Sequence, residues 1–77
     1  MYGSRLHYLR KKNNYTLNYV AEKLNTTHAT ISKYENEKLK IDPDTLCSFC
    51  KLYNVSADYI LGLPNNMPYP KEDKFNA

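Results

Sequence analysis

Glycine is scarce in this chain, with two residues in 77. A loop that cradles phosphate groups needs several glycines to bring its backbone close to the ligand, so a nucleotide-binding loop is excluded. No pair of carboxylates and no nucleophile with a neighbouring base stands out either. We therefore predict that the protein is not an enzyme and uses no cofactor.

Long apolar runs are also missing. A membrane-spanning helix needs about 18 or more consecutive apolar residues, and the chain contains no such run. The first residues, MYGSRLHYLRKK, carry charge without the apolar stretch of a secretory signal. These absences predict a cytoplasmic protein with no membrane contact.

Cysteine is limited to Cys47 and Cys50, which have C-x-x-C spacing. A single pair without an export signal argues against a disulfide scaffold. A zinc site needs two more ligands, and only His7 and His28, both distant in the sequence, could supply them. A redox pair opens a helix after a strand, whereas this pair lies inside a segment of helical periodicity. We predict that both cysteines pack as small hydrophobic residues and that no metal is bound.

Negative charge is scarce in the first half of the chain. Residues 1–40 contain eight lysines and arginines but three glutamates, a net charge of +5. Residues 41–64 carry −2, and the remaining residues are neutral overall. A basic half of this kind is expected where a protein meets a polyanion, although a solvated basic face would give the same charge.

Strands of alternating polarity are absent, and the apolar residues follow helical periodicity instead. Tyr2, Leu6 and Leu9 predict a helix over 2–12. Further helices are predicted at four places: over 17–24 capped by Thr16, over 28–35 capped by Thr27, around Leu46–Tyr53 with Pro43 in its first turn, and around Tyr59–Leu61 with Ser56 as cap and Gly62 and Pro64 as stop. The prediction is an all-α fold, a compact bundle of five short helices over 1–64, followed by a flexible tail over 65–77.

The second and third predicted helices form a helix-turn-helix. They are joined by a three-residue turn in which Asn25 tolerates the left-handed conformation. Ala21 is small enough for the two helices to cross closely. Ile31 and Tyr34 are expected to hold the third helix against the core, so Tyr34 is not an exposed stacking aromatic.

The sequence resembles the phage-repressor and Cro-like helix-turn-helix family, also called XRE-type. The resemblance covers about residues 2–63 and rests on LHYLRKKNNYTL at 6–17, VAEKL at 20–24, TISKYENEK at 30–38 and NVSADYILGL at 54–63. It implies a lambda-repressor-like bundle. The chain departs from the family pattern in having Leu17 where a phosphate-binding glutamine is usual, Asn25 at the turn glycine, and Thr26 at an apolar turn position.

The resemblance implies a DNA-binding role for the third helix, which would lie in the major groove of double-stranded DNA. Its residues imply base reading by Thr27, His28, Ala29, Ser32 and Lys33, and phosphate contacts by Thr16, Leu17, Thr30, Asn36, Lys38 and Lys40. Individually, Thr27 could be only a cap, and His28 and Ser32 could be ordinary surface residues.

Two further pairings follow from the resemblance. Arg10 is expected to form a structural ion pair with Glu35. A homodimer is expected to form through Tyr59, Ile60, Leu63 and Pro64, with the alternative that Ile60 merely completes the monomer core.

The predicted function is sequence-specific transcriptional regulation, as a repressor on a pseudo-palindromic operator. The alternative is an antitoxin or protein-interaction adaptor that also represses its own operon, in which case a protein partner is expected.

Overall fold

Five helices form the part of the chain that the computed structural model describes, which is residues 1–64, 67, 68 and 70. They are α1 (Tyr2–Lys12), α2 (Leu17–Lys23), α3 (His28–Glu35), α4 (Pro43–Tyr53) and α5 (Ala57–Leu61). The predicted all-α bundle is confirmed, and no strand occurs within these residues. The tail predicted over 65–77 falls almost entirely outside them. In this part of the chain, no helix has the length and hydropathy needed to cross a membrane.

Side-chain caps explain where four of the helices begin. The side chains of Thr16, Thr27, Asp42 and Ser56 each accept a hydrogen bond from the backbone N–H three residues further on. The predicted caps at Thr16, Thr27 and Ser56 are therefore confirmed, as is Pro43 at the start of α4. Leu24 forms the C-cap of α2, so that helix ends one residue earlier than predicted.

Asparagine takes the left-handed position in three of the four connections between helices. A left-handed residue occurs in every connection and after α5, at Asn14, Asn25, Glu37, Asn54 and Gly62. Asparagine is the residue other than glycine that adopts this conformation most readily. A chain with so few glycines can therefore still make tight turns, as was predicted for Asn25.

The core lies beneath α3 and is partly aromatic. Leu6, Val20, Ile31, Phe49 and Ile60 are fully buried. Three aromatic rings continue this core, with Tyr34 edge-on to Phe49 at 6.0 Å between centroids and Tyr53 stacked on Phe49 at 6.2 Å. Tyr34 is thus a core residue, as predicted, and fixes the inner side of α3.

Close contact between α1 and the end of α3 depends on Gly3. This residue is buried, and a β-carbon there would collide with the backbone carbonyl oxygen of Glu35 and lie 2.8 Å from Glu37 Cγ. Its N–H donates to Glu37 Oε2 at 3.2 Å. Glycine is needed at this position because the two backbones approach so closely.

The two cysteines differ in their surroundings. Cys50 is half-buried against the core, and desolvation is the main reason that its thiol pKa is raised. Cys47, three residues earlier on α4, is exposed. The predicted packing role is therefore confirmed for Cys50 and wrong for Cys47, which lies on the solvent side of the helix.

Candidate nucleic-acid interface

The third helix is anchored on one side and open on the other. Ile31 is fully buried and Tyr34 is 8% exposed. The opposite side presents mainly short polar groups and one cation to solvent. Of the five residues predicted to read bases, Ser32 is half-buried and the others are exposed: Thr27, His28, Ala29 and Lys33. The structure thus gathers the predicted base-reading residues on and beside one accessible helix face.

The first turn of α3 is held by two threonines. Thr27 Oγ1 accepts from the N–H of Thr30 at 3.3 Å, and the two threonine hydroxyl oxygens lie 3.0 Å apart. Thr30 is half-buried and lines a cavity of about 160 Å³ together with Tyr34 and Asp44. A phosphate at that cavity would lie near the carboxylate of Asp44, so the surroundings of Thr30 favour a structural role over the predicted phosphate contact.

At the other end of α3, a base-reading candidate and a phosphate-binding candidate are bonded to each other. The side-chain amide of Asn36 donates to the carbonyl of Ser32 at 3.0 Å and to its hydroxyl at 3.3 Å. This contact gives a hydrogen bond to the Ser32 carbonyl oxygen in the last turn of α3 and orients both side chains. Ser32 Oγ accepts from Asn36 and keeps its own proton for an external acceptor, and Asn36 keeps its amide oxygen for an external donor.

A cleft of about 450 Å³ lies between the end of α1 and the first residues of α2 and α3. It is lined by Arg10, Lys11, Tyr15, Thr16, Leu17, Asn18 and His28. Thr16 is exposed and Leu17 is half-buried, with its side chain packed against the core. Leu17, which occupies the position where the family usually has glutamine, thus turns its side chain inward. The polar groups of the cleft come from the neighbouring residues.

Lys11 and Asn18 are the exposed residues of this cleft that the sequence did not single out. Both are exposed, and both lie beside His28 across the cleft. The sequence did contain a signal for Lys11. The expected pair of Arg10 with Glu35 brings the end of α1 close to the third helix, and Lys11 directly follows Arg10. Asn18 directly follows the position where the family pattern places glutamine. Each was a neighbour of a recognised position.

Free positive charge surrounds α3. In residues 1–64, the ion pairs within 4.0 Å both involve Glu35, with Arg10 and His7 as its partners. Lys33, Lys38 and Lys40 are exposed, and no carboxylate of residues 1–64 lies at ion-pair distance from any of them. Lys33 lies on α3, and Lys38 and Lys40 follow it in the chain, so their charges are exposed to solvent near the helix.

The predicted partners Arg10 and Glu35 join α1 to the end of α3. Arg10 Nε lies 2.7 Å from Glu35 Oε2, and Arg10 Nη2 donates to Glu35 Oε1 at 3.2 Å. Arg10 also donates to the carbonyl of Tyr15 at 3.1 Å, which fixes the connection to α2. The hydrogen bond that Arg10 donates to Glu35 outweighs desolvation and raises the pKa of Arg10, so this side chain is a buried cation at every physiological pH.

His7 is a third member of this group that the sequence did not reveal. Its Nδ1 lies 2.9 Å from Glu35 Oε1, and its side chain is 53% exposed. His7 and Arg10 are three residues apart on α1 and therefore share a face. That spacing was the available signal. Together the three side chains fix the angle at which α3 is presented.

The predicted dimer residues divide into two groups. Tyr59, Leu63 and Pro64 are exposed, with Tyr59 at 41% and Leu63 at 47%. Ile60 is fully buried in the monomer core. The prediction that Ile60 forms part of the dimer interface is wrong, because its side chain packs inward and has no surface to offer a second chain.

The sequence of residues 6–60 matches the helix-turn-helix family model. An HTH-type transcriptional regulator of Bacillus subtilis, YobD, is 41% identical over 76 residues, which are 99% of this chain and 67% of YobD. The regulator ImmR of the same organism is 47% identical over 60 residues, 78% of this chain and 47% of ImmR. The chain thus spans about two thirds of one relative and half of the other.

Solved structures give the same fold. The P22 c2 repressor, crystallised with a synthetic operator, superposes with a TM-score of 0.74 at 22% identity, over 78% of this chain and 91% of that one. At this identity the likeness concerns the fold. Taken with the family match and the two relatives, it leads to one conclusion: the chain belongs to the helix-turn-helix family of DNA-binding transcriptional regulators, of the phage-repressor or XRE type.

Proposed function

We propose that this protein is a sequence-specific repressor that binds double-stranded DNA as a homodimer, with α3 in the major groove. The observation that carries the proposal is the two-sided character of α3. Two buried side chains, Ile31 and Tyr34, fix its inner side, while its outer side is polar and accessible. Short polar side chains on a rigid helix suit base edges, because the backbone can approach the groove floor closely.

Base reading would fall mainly to the first half of α3. His28 can donate to or accept from a base edge, and Ala29 can pack against a thymine methyl group. Thr27 caps the helix through its hydroxyl oxygen, which also lies 3.0 Å from the hydroxyl oxygen of Thr30. When Thr30 donates in that pair, the Thr27 proton can go to an acceptor on DNA. Ser32 would act together with Asn36, since the two are hydrogen-bonded to each other.

Phosphate binding would come from two sides of α3. On one side, Lys11, Asn18 and the N–H groups that begin α2 at Thr16 and Leu17 surround the cleft beside His28. On the other side, Asn36, Lys38 and Lys40 follow the end of the helix. Two clamps of this kind would hold α3 in register on the duplex while its first residues read sequence.

A dimer would read two half-sites. We propose that Tyr59, Leu63 and Pro64 belong to the contact between subunits, since they are exposed at the end of α5. The two α3 helices would then enter successive major grooves about one helical turn, ~34 Å, apart. Footprinting should accordingly protect two half-sites on a pseudo-palindromic operator.

Selection from a randomised duplex pool tests the proposal. The wild-type protein should enrich a two-part site, and His28→Ala should change the preferred base at one or two positions of each half-site. Lys38→Gln should weaken binding to all sequences alike and lower the salt dependence by about one phosphate per subunit. No enrichment of any sequence by the wild-type protein would refute base-specific recognition.

A further inference from the structure

Glu37 adopts a backbone conformation that favours glycine. It directly follows Asn36, the C-cap of α3, and has a left-handed φ of 57°. Its N–H donates to the carbonyl of Tyr34 at 3.2 Å, and the N–H of Lys38 donates to the carbonyl of Lys33 at 2.8 Å. These two hydrogen bonds form a Schellman helix ending, whose left-handed residue is usually glycine. Because a β-carbon makes this conformation unfavourable, the Glu37 side chain is expected to make a compensating contact.

The compensating contact is with the beginning of α1. Met1 is the N-cap of α1 but provides no side-chain hydrogen bond, and the first turn of the helix contains no acidic residue. The free N–H groups at the start of a helix favour an acceptor that carries negative charge. Glu37 Oε2 accepts from the N–H of Gly3 at 3.2 Å and thus supplies this acceptor from a different part of the chain.

A second contact joins the same stretch of chain to α1. The hydroxyl of Tyr2 donates to the carbonyl of Leu39 at 3.3 Å. Glu37 and Leu39 are therefore both bonded to the first turn of α1, and Lys38 lies between them with its own N–H bonded to α3. The side chain of Lys38 is nevertheless exposed. An exposed side chain on an ordered backbone binds a ligand at a lower entropy cost.

Stability alone does not require this arrangement. Glycine at position 37 would remove the strain, and a serine or aspartate before α1 would cap that helix locally. The contacts of Glu37 and Tyr2 also fix the chain that follows α3 relative to α1. The opposite end of α1 carries Lys11, which lines the cleft beside His28. One helix therefore holds both regions that are proposed to bind phosphate, and it fixes their separation.

We propose that Glu37 is a positioning residue for the phosphate contact of Lys38. The inference rests on the proposed function and adds a side chain that acts on DNA only through its neighbour. An acidic group beside a phosphate-binding lysine would by itself repel DNA. The hydrogen bond to Gly3 directs the carboxylate to α1 instead, so Glu37 orders the backbone of Lys38 without forming an ion pair with it.

Two neutral variants separate positioning from charge. Glu37→Gln and Glu37→Ala both remove the negative charge and both keep a β-carbon in the left-handed position. Only glutamine retains an oxygen that can accept from the N–H of Gly3. Since phosphate contacts do not depend on sequence, fluorescence anisotropy on a duplex of arbitrary sequence measures the effect. Glu37→Ala should bind about fivefold more weakly per subunit than Glu37→Gln, as expected for the loss of one phosphate contact. Equal binding by the two variants would overturn the proposal.

A double-mutant cycle tests whether the effect acts through Lys38. In a Lys38→Gln background, the difference between Glu37→Ala and Glu37→Gln should disappear, because no cation remains to be positioned. In a Lys51→Gln background the difference should persist, since Lys51 is an exposed lysine on α4. A difference that persists undiminished without Lys38 would show that Glu37 acts on stability in general, and would equally overturn the proposal.

Hydrogen exchange of the Gly3 amide tests the contact itself in the absence of DNA. This amide should exchange at the wild-type rate in Glu37→Gln and roughly fivefold faster in Glu37→Ala, as the loss of one hydrogen bond allows. Equal exchange in the two variants would contradict the bond on which the proposal depends. Thermal unfolding verifies that both variants fold.

The outcomes separate this inference from the proposed function. A wild-type chain that binds duplex DNA while Glu37→Ala and Glu37→Gln bind alike would overturn the role of Glu37 and leave DNA binding intact. A wild-type chain that binds no duplex would refute the proposed function and the positioning role together, even where exchange of the Gly3 amide shows the hydrogen bond.

Discussion

At the scale of single residues, the hydroxyl of Tyr53 is a polar group buried in the core without a hydrogen bond to any described residue. Its oxygen is buried and has no hydrogen-bond partner among the described residues. Burial raises the pKa of Tyr53 well above its ordinary value, so the group remains a neutral phenol. A buried donor without a partner costs about 1–3 kcal/mol relative to hydration.

We expect Tyr53→Phe to raise the free energy of unfolding by about 1 kcal/mol, because it removes only this hydroxyl and keeps the stacked ring. Tyr34→Phe is a suitable control. Tyr34 is also 8% exposed, but its hydroxyl is not among the buried unpaired groups. Urea denaturation of both variants provides the measurement. A loss of stability in Tyr53→Phe would show that the hydroxyl makes a favourable contact.

Arg10 and Glu35 are also buried polar groups, but unlike the Tyr53 hydroxyl they form hydrogen bonds with each other. Their side chains are 9% and 6% exposed. Replacing one leaves an uncompensated buried charge, so Arg10→Met and Glu35→Leu should each lower the free energy of unfolding by about 3 kcal/mol. The combined variant should recover much of that loss. Denaturation midpoints of the three variants test this, and simple addition of the two losses would contradict mutual compensation.

At the scale of elements, the packing of α1 on α3 depends on a position without a side chain. Alanine favours helices by about 1 kcal/mol over glycine, so propensity alone predicts that Gly3→Ala stabilises α1. The structure predicts the reverse, a loss of about 2 kcal/mol, because the added methyl group would collide with the carbonyl of Glu35. Ser4→Ala, at the exposed neighbouring position, should change stability little. Thermal unfolding separates the two outcomes.

The beginning of α4 should respond to acid. Asp42 caps this helix, and its hydrogen bond with Thr45 is the main cause that lowers its pKa from the ordinary 3.8. A lowered folded-state pKa means that the carboxylate stabilises the fold above pH 3.8 and that this contribution disappears as pH falls through the lowered pKa.

Asparagine at position 42 should cap the helix without titrating. We therefore expect Asp42→Asn to match the wild type near pH 7 and to lose less stability on acidification. Asp44→Asn, in the same first turn but without the capping bond, should keep the wild-type acid response. Melting temperatures across acidic pH provide the test, and parallel curves for wild type and Asp42→Asn would exclude a role for the cap.

At the scale of the whole molecule, positive charge should act only where it faces DNA. Lys11 lines the cleft beside His28, whereas Lys51 lies on α4 beside Leu52 and Lys23. Both are exposed lysines, so they form a matched pair. Lys11→Gln should lower the salt dependence of duplex binding by about one phosphate per subunit, and Lys51→Gln should leave it unchanged. Fluorescence anisotropy over a range of salt concentrations measures both.

Much of the fold could be predicted because its signals are local. Helical periodicity, capping threonines and serines, and asparagine at a turn each act within a few residues, and all of them agree. The core role of Tyr34 followed from its spacing to Ile31. The anchored helix with a polar outer face could likewise be predicted, since burial and exposure alternate along α3 with the helical period.

The errors and omissions concern contacts between elements. Ile60 and Leu63 are both apolar residues near the end of the last helix, and periodicity does not say which one faces the core. Cys47 and Cys50 likewise differ only in the side of α4 on which they lie. His7 lies beside Glu35, and Tyr8 and Tyr59 line one groove, although each pair is far apart in the sequence.

By itself, the sequence determined the number of helices, the caps at Thr16, Thr27 and Ser56 and the polar character of α3, because hydrogen bonding and periodicity within one helix are properties of neighbouring residues. Only the tertiary structure decided which polar groups meet. It brought Lys11, Asn18 and His28 around one cleft, buried Ile60 and opened a groove beside Tyr8. The physical reason is that these surfaces depend on the angles at which α1 packs against α3 and α5, and those angles depend on close contacts such as that of Gly3.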